Sequence, residues 1–180
     1  CFFKTIDRNK DWKNDTTLNL ADIKNVPNST RVNGGAGTAC LTLADDPQRT
    51  KPEKDSLIRQ AIRYYRRAVE IHPAYNDPWM NMGVAYSRLD SIFKAEECWN
   101  DVRKRNPNLG KLKELDRYMV SVFMNRGVIA EQQRKLDSAI FFYQKVENYA
   151  QGTDTMRLNG LYQLAGTYYN KGDYLNAKQT

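Results

Sequence analysis

The 180-residue sequence has few of the residues from which metal and redox sites are usually built. It contains one histidine, His72, and three scattered cysteines, Cys1, Cys40 and Cys98, with no Cys-x-x-Cys pair. Three such cysteines are too few for a disulfide framework or a zinc site. We therefore expect no metal, no cofactor and no catalytic residue in this chain. We expect His72 to be structural and Cys40 and Cys98 to act as small core residues.

Long apolar runs are also missing from the sequence. No stretch approaches the ~18 consecutive apolar residues of a membrane span, and the mean hydropathy is −0.75. Hydrophobic residues nevertheless make up 41% of the chain and aromatic residues 11%, which is too much for a wholly disordered chain. The 28 Lys and Arg exceed the 21 Asp and Glu and give a net charge of +7. The composition favours one folded, basic domain.

A repeat motif is present in the middle of the chain. Its members are Trp79, Met82, Gly83, Tyr86, Ala95, Trp99 and Pro107. The spacing follows the tetratricopeptide pattern W-x₂-L-G-x₂-Y, A-x₃-F and a final proline, with Met in place of Leu and Trp in place of Phe. Small residues allow two antiparallel helices to cross closely, and the aromatic residues fill the space around them. The proline ends the second helix because it cannot donate to the helical ladder.

The same landmarks recur on both sides of this motif. They are Ala61, Tyr65 and Pro73, placed 34 residues before their counterparts, Gly127, Ala139 and Tyr143, placed 44 residues after theirs, and Tyr168 and Ala177 in the last stretch. Over roughly residues 29–180 the sequence resembles the tetratricopeptide repeat (TPR) family. The resemblance implies an all-α fold, a right-handed solenoid of antiparallel helical hairpins with about three and a half repeats.

The expected units cover about 29–75, 76–108, 109–152 and 153–180, after a junction at 1–28 that contains a short helix. The first unit opens with a helix from about Thr30 to Ala44 and continues with a loop of about a dozen extra residues before Ser56. The opening helix of the third unit has about ten extra residues, from Leu109 onward. Asp-Ser pairs at 55–56, 90–91 and 137–138 are expected to cap the second helices of their units.

Members of the TPR family hold extended peptides on the concave face of their first helices. By the helix period, the residues on that face are Met80, Val84, Ser87, Arg88, Met124, Val128, Glu131, Tyr162, Gly166 and Tyr169. A clamp for a C-terminal carboxylate would need Lys and Asn at such positions, so we expect an apolar, aromatic groove for a protein or peptide partner. The alternative is that these residues pack against a neighbouring helix or a long loop.

Basic residues form a stripe along one expected helix. Arg59, Arg63, Arg66 and Arg67 recur at helical spacing, and Tyr64 and Tyr65 lie between them. A basic RNA-binding helical repeat is therefore an alternative function. Because Tyr65 belongs to the repeat core and no RNA-binding motif is present, we expect a solvated face and no specific nucleic-acid binding. Attraction to anionic lipid or to an acidic partner is a second use for such a stripe.

The residues before position 30 carry a second, shorter resemblance. They are Arg8, Asn9, Asp11, Trp12, Leu18, Pro27, Asn28 and Ser29. The segment is similar to the junction in polytopic membrane proteins of the O-mannosyltransferase type that carry a TPR tail. The resemblance implies a tethered, extracytoplasmic (periplasmic) tail of a bacterial membrane glycosyltransferase-like protein, with catalysis in another part of that protein.

Three observations bear on this context. Lys4, Arg8, Lys10 and Lys13 cluster near the presumed membrane exit, and the positive-inside rule would place them in the cytoplasm. Cys1 as an acylated residue would instead indicate a lipid-anchored scaffold, and a free-standing TPR scaffold is the third alternative. The second helix of the last unit starts near Tyr174 and has half the usual length. We expect the natural protein to continue beyond it, and residues 158–180 to be the least stable part.

Overall fold

The computed structural model describes residues 14–149 and 155–180. Within these ranges the chain is helical and contains no strand. The helices are α1 (Asp15–Asn25), α2 (Thr30–Ala44), α3 (Lys51–Ile71), α4 (Asn76–Arg88), α5 (Ile92–Arg105), α6 (Lys111–Gln132), α7 (Leu136–Glu147), α8 (Thr155–Lys171) and α9 (Tyr174–Gln179). Within each compact unit of the chain, helices that follow one another in the sequence pack side by side. The all-α fold of TPR type is therefore confirmed, and none of these helices is long and apolar enough to cross a bilayer.

The chain divides into two compact units, Cys1–Pro107 and Asn108–Thr180. In the N-terminal unit, α1 begins with a capping box in which Asn14 and Thr17 bond reciprocally. The Ser29 hydroxyl caps α2, which spans the residues predicted for it. Cys40 and Cys98 are buried free thiols, as expected. Burial raises the pKa of Cys40 to about 11 and that of Cys98 to about 12, so both stay protonated at neutral pH.

One packing contact recurs in three hairpins, where a buried ring lies against a glycine. A Cβ on Gly37 would lie 2.6 Å from Tyr65 Cε1. The same contact pairs Gly83 with Trp99 and Gly127 with Tyr143. The three rings are fully or almost fully buried. Each ring belongs to the second helix of its hairpin and occupies the space that a side chain on the first helix would need, so only glycine fits at that position of the first helix.

The start of α3 differs from the prediction. We expected a loop of about a dozen extra residues and a cap at Asp55 and Ser56, and this is wrong. The loop covers only residues 45–50, and α3 begins at Lys51. The Thr50 N–H donates to Glu53 Oε2 at 2.8 Å, and the Thr50 hydroxyl donates to the same oxygen at 2.7 Å. Proline in the first turn fits because the N–H it lacks would have no helical partner there.

The Asp-Ser pair at 137–138 does not cap its helix as predicted, because both residues lie within the first turn of that helix. Helix α7 begins at Leu136, with Lys135 at its N-cap. The Asp137 carboxylate instead pairs with the Lys171 ammonium of α8 at 2.5 Å. Ser91 does occupy the N-cap position of α5, although its side chain makes no capping hydrogen bond.

Candidate functional site

An exposed apolar strip runs along α8 in the C-terminal unit. Leu158, Tyr162 and Tyr169 are 60%, 78% and 64% exposed. With Gly166 they follow the spacing i, i+4, i+8, i+11, which places all four residues on one face of a helix. A Cβ on Gly166 would meet no atom within 4 Å, so the strip has an open gap between its two tyrosines. We call these four residues the α8 strip.

Helix α9 extends the strip. The Tyr174 ring meets the Tyr169 ring edge-on, with the centroids 5.2 Å apart, and Tyr174 and Leu175 are both largely exposed. The turn between the helices has Gly172 at φ +85°, a conformation that favours glycine. Asp173 caps α9 by accepting from the Asn176 backbone N–H and side-chain amide, and these bonds lower the pKa of its carboxyl. The turn thereby fixes Tyr174 beside the strip.

The opposite face of α8 is held by the rest of the unit. Leu164 belongs to a core cluster that includes Tyr143 of α7. A Cβ on Gly160 would lie 2.9 Å from Val146 Cγ1, so α8 and α7 approach closely there. The Gln144 side-chain amide donates to the Tyr168 hydroxyl at 2.9 Å. The strip therefore stands on a helix whose other side is fixed by packing and hydrogen bonds.

Glu131, predicted to face a peptide, joins three helices instead. The Tyr143 hydroxyl donates to Glu131 Oε2 at 3.0 Å, and the Thr167 hydroxyl donates to Oε1 at 2.5 Å. Thr167 is fully buried. Burial, followed by the hydrogen bond to the Glu131 carboxylate and its charge, raises the pKa of Tyr143. Both carboxylate oxygens of Glu131 are thus used within the C-terminal unit.

The other predicted residues of this unit divide between core and surface. Met124 is half-buried and packs against a core cluster, where its sulfur would lie 3.8 Å from a Cβ on Gly160. Val128 is partly exposed, and so is its neighbour Ile129. Met124 thus contributes mainly to packing, whereas Tyr162 and Tyr169 present open surface.

In the N-terminal unit the predicted apolar face is largely covered. Met80 is only 7% exposed, so its expected place on an open groove is not found. It precedes Gly83 by three residues, which puts it on the side of α4 that packs against α5. Val84 and Ser87 are half-buried, and the Ser87 hydroxyl donates to the Val84 carbonyl at 2.8 Å. Arg88 is exposed and pairs with Asp45 at 2.7 Å.

The basic stripe on α3 is partly engaged with neighbouring polar groups. Arg66 donates to the Tyr86 hydroxyl at 3.1 Å, and Arg67 donates to Asn28 Oδ1 at 2.8 Å and to Glu70 at 3.3 Å. Arg59 and Arg63 are exposed on the same helix. Two of the four arginines, Arg66 and Arg67, therefore bond to polar groups of the N-terminal unit itself.

The sequence reasoning missed three residues of the exposed surface on α8 and α9, Leu158, Tyr174 and Leu175. Leu158 lies one helical turn before Tyr162, a spacing that would have identified it. Tyr174 lies beside Tyr169 only because of the Gly172–Asp173 turn, which periodicity does not reveal. Of the junction residues, those before residue 14 lie outside the described residues, whereas the predicted short helix is α1.

Comparison with known proteins gives few matches in sequence. No protein-family model matches the chain. Over 42 residues, 23% of this chain, it is 33% identical to an uncharacterised protein of Methanocaldococcus jannaschii, and the match covers 49% of that protein. The matched part thus spans about half the length of this curated relative.

Several solved structures are similar to this chain at low identity. A human IFIT1 dimer with PPP-AAAA is 19% identical, with 91% of this chain and 41% of that chain covered and a TM-score of 0.48. MamA is 15% identical, with 91% and 81% covered and a TM-score of 0.46. The APC/C hetero-tetramer Cut9-Hcn1 is 14% identical, with 96% and 35% covered and a TM-score of 0.40.

Proposed function

We propose that this TPR-type chain is a protein-interaction scaffold that holds a segment of a partner protein on the α8 strip. The observation that carries the proposal is the alignment of Leu158, Tyr162 and Tyr169, each more than half exposed, on one face of a helix. Contiguous exposed apolar surface marks interaction sites in soluble proteins. Tyrosine is enriched at such sites because it offers a large apolar face and a polar hydroxyl.

The shape of the strip suggests what kind of segment it holds. Tyr162 and Tyr169 are seven residues apart, or about 10 Å along a helix, and the open Gly166 lies between them. This gap suits one apolar side chain of a bound segment, with the two rings on either side. The chain carries a net charge of +7, so acidic residues beside the apolar anchor would be favoured electrostatically. The proposed ligand is therefore a peptide segment with an apolar anchor and acidic neighbours.

A peptide-library selection tests this function. Peptides selected on the whole chain are expected to share an apolar anchor and acidic neighbours. Their affinity is expected to fall by about tenfold or more when Tyr162→Ala removes a central ring. Tyr118→Ala, which removes an exposed tyrosine of α6, serves as the matched control and should leave binding unchanged. Peptides that bind both variants equally would refute the α8 strip as the binding surface.

Nucleic acid is the competing ligand in that experiment. Single-stranded RNA at ~150 mM salt is expected to bind no tighter than the micromolar non-specific regime. The engagement of Arg66 and Arg67 by Tyr86 and Asn28 supports this expectation. Nanomolar, sequence-selective binding of RNA would replace the scaffold function with the RNA-binding one.

We further propose that the scaffold is the extracytoplasmic tail of a bacterial membrane glycosyltransferase-like protein. The support is the resemblance of the junction residues, with α1 and the Pro27-Asn28-Ser29 segment leading into α2. The gene sequence upstream of Cys1 tests it directly. Several apolar spans followed by this junction are expected, whereas a lipoprotein signal or a soluble domain would favour the lipid-anchored or free-standing alternatives.

A further inference from the structure

A second site lies in the N-terminal unit, far from the α8 strip in sequence. A cavity of about 480 Å³ opens where the end of α2, the start of α3 and the end of α4 meet. Its lining residues are Ala44, Asp45, Arg49, Lys51, Lys54, Asp55, Ile58 and Arg88. This volume falls within the range of small-molecule sites in proteins. The buried Ala44 and Ile58 give the cavity an apolar part, and the remaining six residues are all charged.

The charges of the lining do not balance. Four cationic side chains face two carboxylates, Asp45 and Asp55, so the lining carries a net charge of +2. Asp46, outside the lining, approaches Arg49 Nε at 3.7 Å and lowers this excess. The cavity nevertheless remains cationic. An anionic ligand is therefore the class that its electrostatics favour.

Two of the four cations are held in place by carboxylates. Arg88 donates to Asp45 Oδ1 at 2.7 Å and, through its second Nη, to Oδ2 at 3.5 Å. This pair ties the end of α4 to the loop after α2. Lys51 lies 3.8 Å from Asp55 within the first turns of α3. These contacts fix the walls of the cavity.

The other two cations have unused binding capacity. The Lys54 ammonium group has no ion pair or hydrogen-bond partner among the described residues. Arg49 Nε is buried and makes no hydrogen bond, because Asp46 at 3.7 Å is beyond hydrogen-bond distance. A buried donor without an acceptor costs free energy. Arg49 is thus the residue of this cavity that gains most from an added oxyanion.

We propose that this cavity binds a phosphate monoester, with Arg49 and Lys54 as its principal ligands and Arg88 as a third contact. A phosphate monoester carries a charge of about −1.5 to −2 at neutral pH, which is opposite in sign to the excess charge of the cavity. Arginine is suited to it because its planar guanidinium can donate two parallel hydrogen bonds to a phosphate. The apolar patch of Ala44 and Ile58 accommodates the carbon part of the ester. The site does not depend on the α8 strip, so the failure of one leaves the other standing.

A titration of the whole chain followed by ¹H–¹⁵N NMR tests the site. The probes are inorganic phosphate, O-phosphoserine, a heptapeptide containing phosphoserine, and glutamate, all at constant ionic strength. Saturable shifts are expected at the amides of the loop 45–50 and of Lys54, with phosphoserine binding more tightly than glutamate. Tighter binding of free phosphoserine than of the peptide identifies a small-molecule ester. The reverse order identifies a phosphorylated side chain of a partner.

The matched variants separate a built site from general attraction to a basic protein. The double variant Arg49→Gln, Lys54→Gln should weaken phosphoserine binding by about tenfold or more, since each of the two substitutions removes a charge-assisted contact to the phosphate. Arg59→Gln with Arg63→Gln removes the same charge from the exposed face of α3 and should change binding less than twofold. Equal weakening by the two double variants, or shifts that never saturate, would overturn the proposal. Circular dichroism of each variant checks that the fold is kept.

Discussion

The indole of Trp99 lies in the space that a side chain at position 83 would need. A Cβ on Gly83 would approach Trp99 Cε2 to 2.5 Å. The indole Nε1–H donates to the carbonyl of Met80 at 3.0 Å, which ties α5 to α4. Trp99 is only 2% exposed. The glycine and the indole therefore form one structural element of the hairpin.

This contact predicts a large effect of a single methyl group. Gly83→Ala is expected to destabilise the N-terminal unit by about 2 kcal/mol, because an over-packed core side chain must move and the Trp99 hydrogen bond is strained. The change is measured by urea unfolding followed by tryptophan fluorescence, since Trp79 and Trp99 both lie in this unit.

The control for that prediction is Gly34→Ala on α2, in the same unit. A Cβ there would lie 3.9 Å from Pro78 Cγ, an ordinary contact distance, and alanine is a better helix former than glycine by about 1 kcal/mol. Unchanged or slightly raised stability is expected. If Gly83→Ala proved as mild as Gly34→Ala, the close crossing of α4 and α5 would be contradicted.

Glu131 supplies the second prediction. Glu131→Gln leaves one carbonyl oxygen where two carboxylate oxygens accept from Tyr143 and Thr167. We expect the C-terminal unit to lose about 1–3 kcal/mol, since the fully buried Thr167 hydroxyl loses its charged acceptor. Hydrogen exchange of the α8 amides measures the loss.

The matched control is Glu114→Gln, in the exposed first turn of α6. It makes the same chemical change without removing a contact between helices. Equal exchange in the Glu131 and Glu114 variants would show that Glu131 is not a structural link, and would restore it as a candidate for peptide contact.

The third prediction concerns alkaline pH. Burial raises the pKa of Tyr65 to about 12, with smaller opposing contributions from its hydrogen bond to Thr38. The ordinary tyrosine pKa is about 10. The stabilisation that depends on the neutral phenol is therefore complete below pH 10, and it is lost as the pH rises from about 10 towards 12.

Tyr65→Phe tests this dependence. The free energy of unfolding of the N-terminal unit should fall less steeply between pH 10 and 12 in the variant than in the parent chain. Parallel pH profiles for Tyr65→Phe and the parent chain would contradict the burial of this phenol.

The sequence predicted those features that depend on local spacing. The repeat motif indicates the approach of Gly83 to Trp99, and the helix Thr30–Ala44 was placed despite its glycines. The start of α3 was misplaced because two capping signals compete there. Thr50 and Glu53 form a capping box around Pro52, and this outweighs the Asp-Ser pair that follows.

The candidate site was predicted only in part. The helix period predicts which residues share one face of a helix, but it does not predict whether other parts of the chain cover that face. Met80 and Tyr162 occupy similar positions in their helices by motif. Met80 is buried beside the Gly83 crossing, whereas Tyr162 is 78% exposed. The cavity around Arg49 depends on the conformation of the loop 45–50. The spacing of residues in the sequence does not predict the conformation of such a loop.

The central claim, that the α8 strip holds the partner segment in its gap, is tested most directly by Gly166→Leu. This variant fills the gap between Tyr162 and Tyr169 without removing any contact surface, in a helix where leucine is favoured. A peptide selected on the parent chain is titrated against Gly166→Leu and against Gly110→Leu, a position before α6 where an added Cβ would also meet no atom within 4 Å. We expect a loss of affinity of about tenfold or more for Gly166→Leu and little change for Gly110→Leu. Equal affinity for the two variants would contradict the claim.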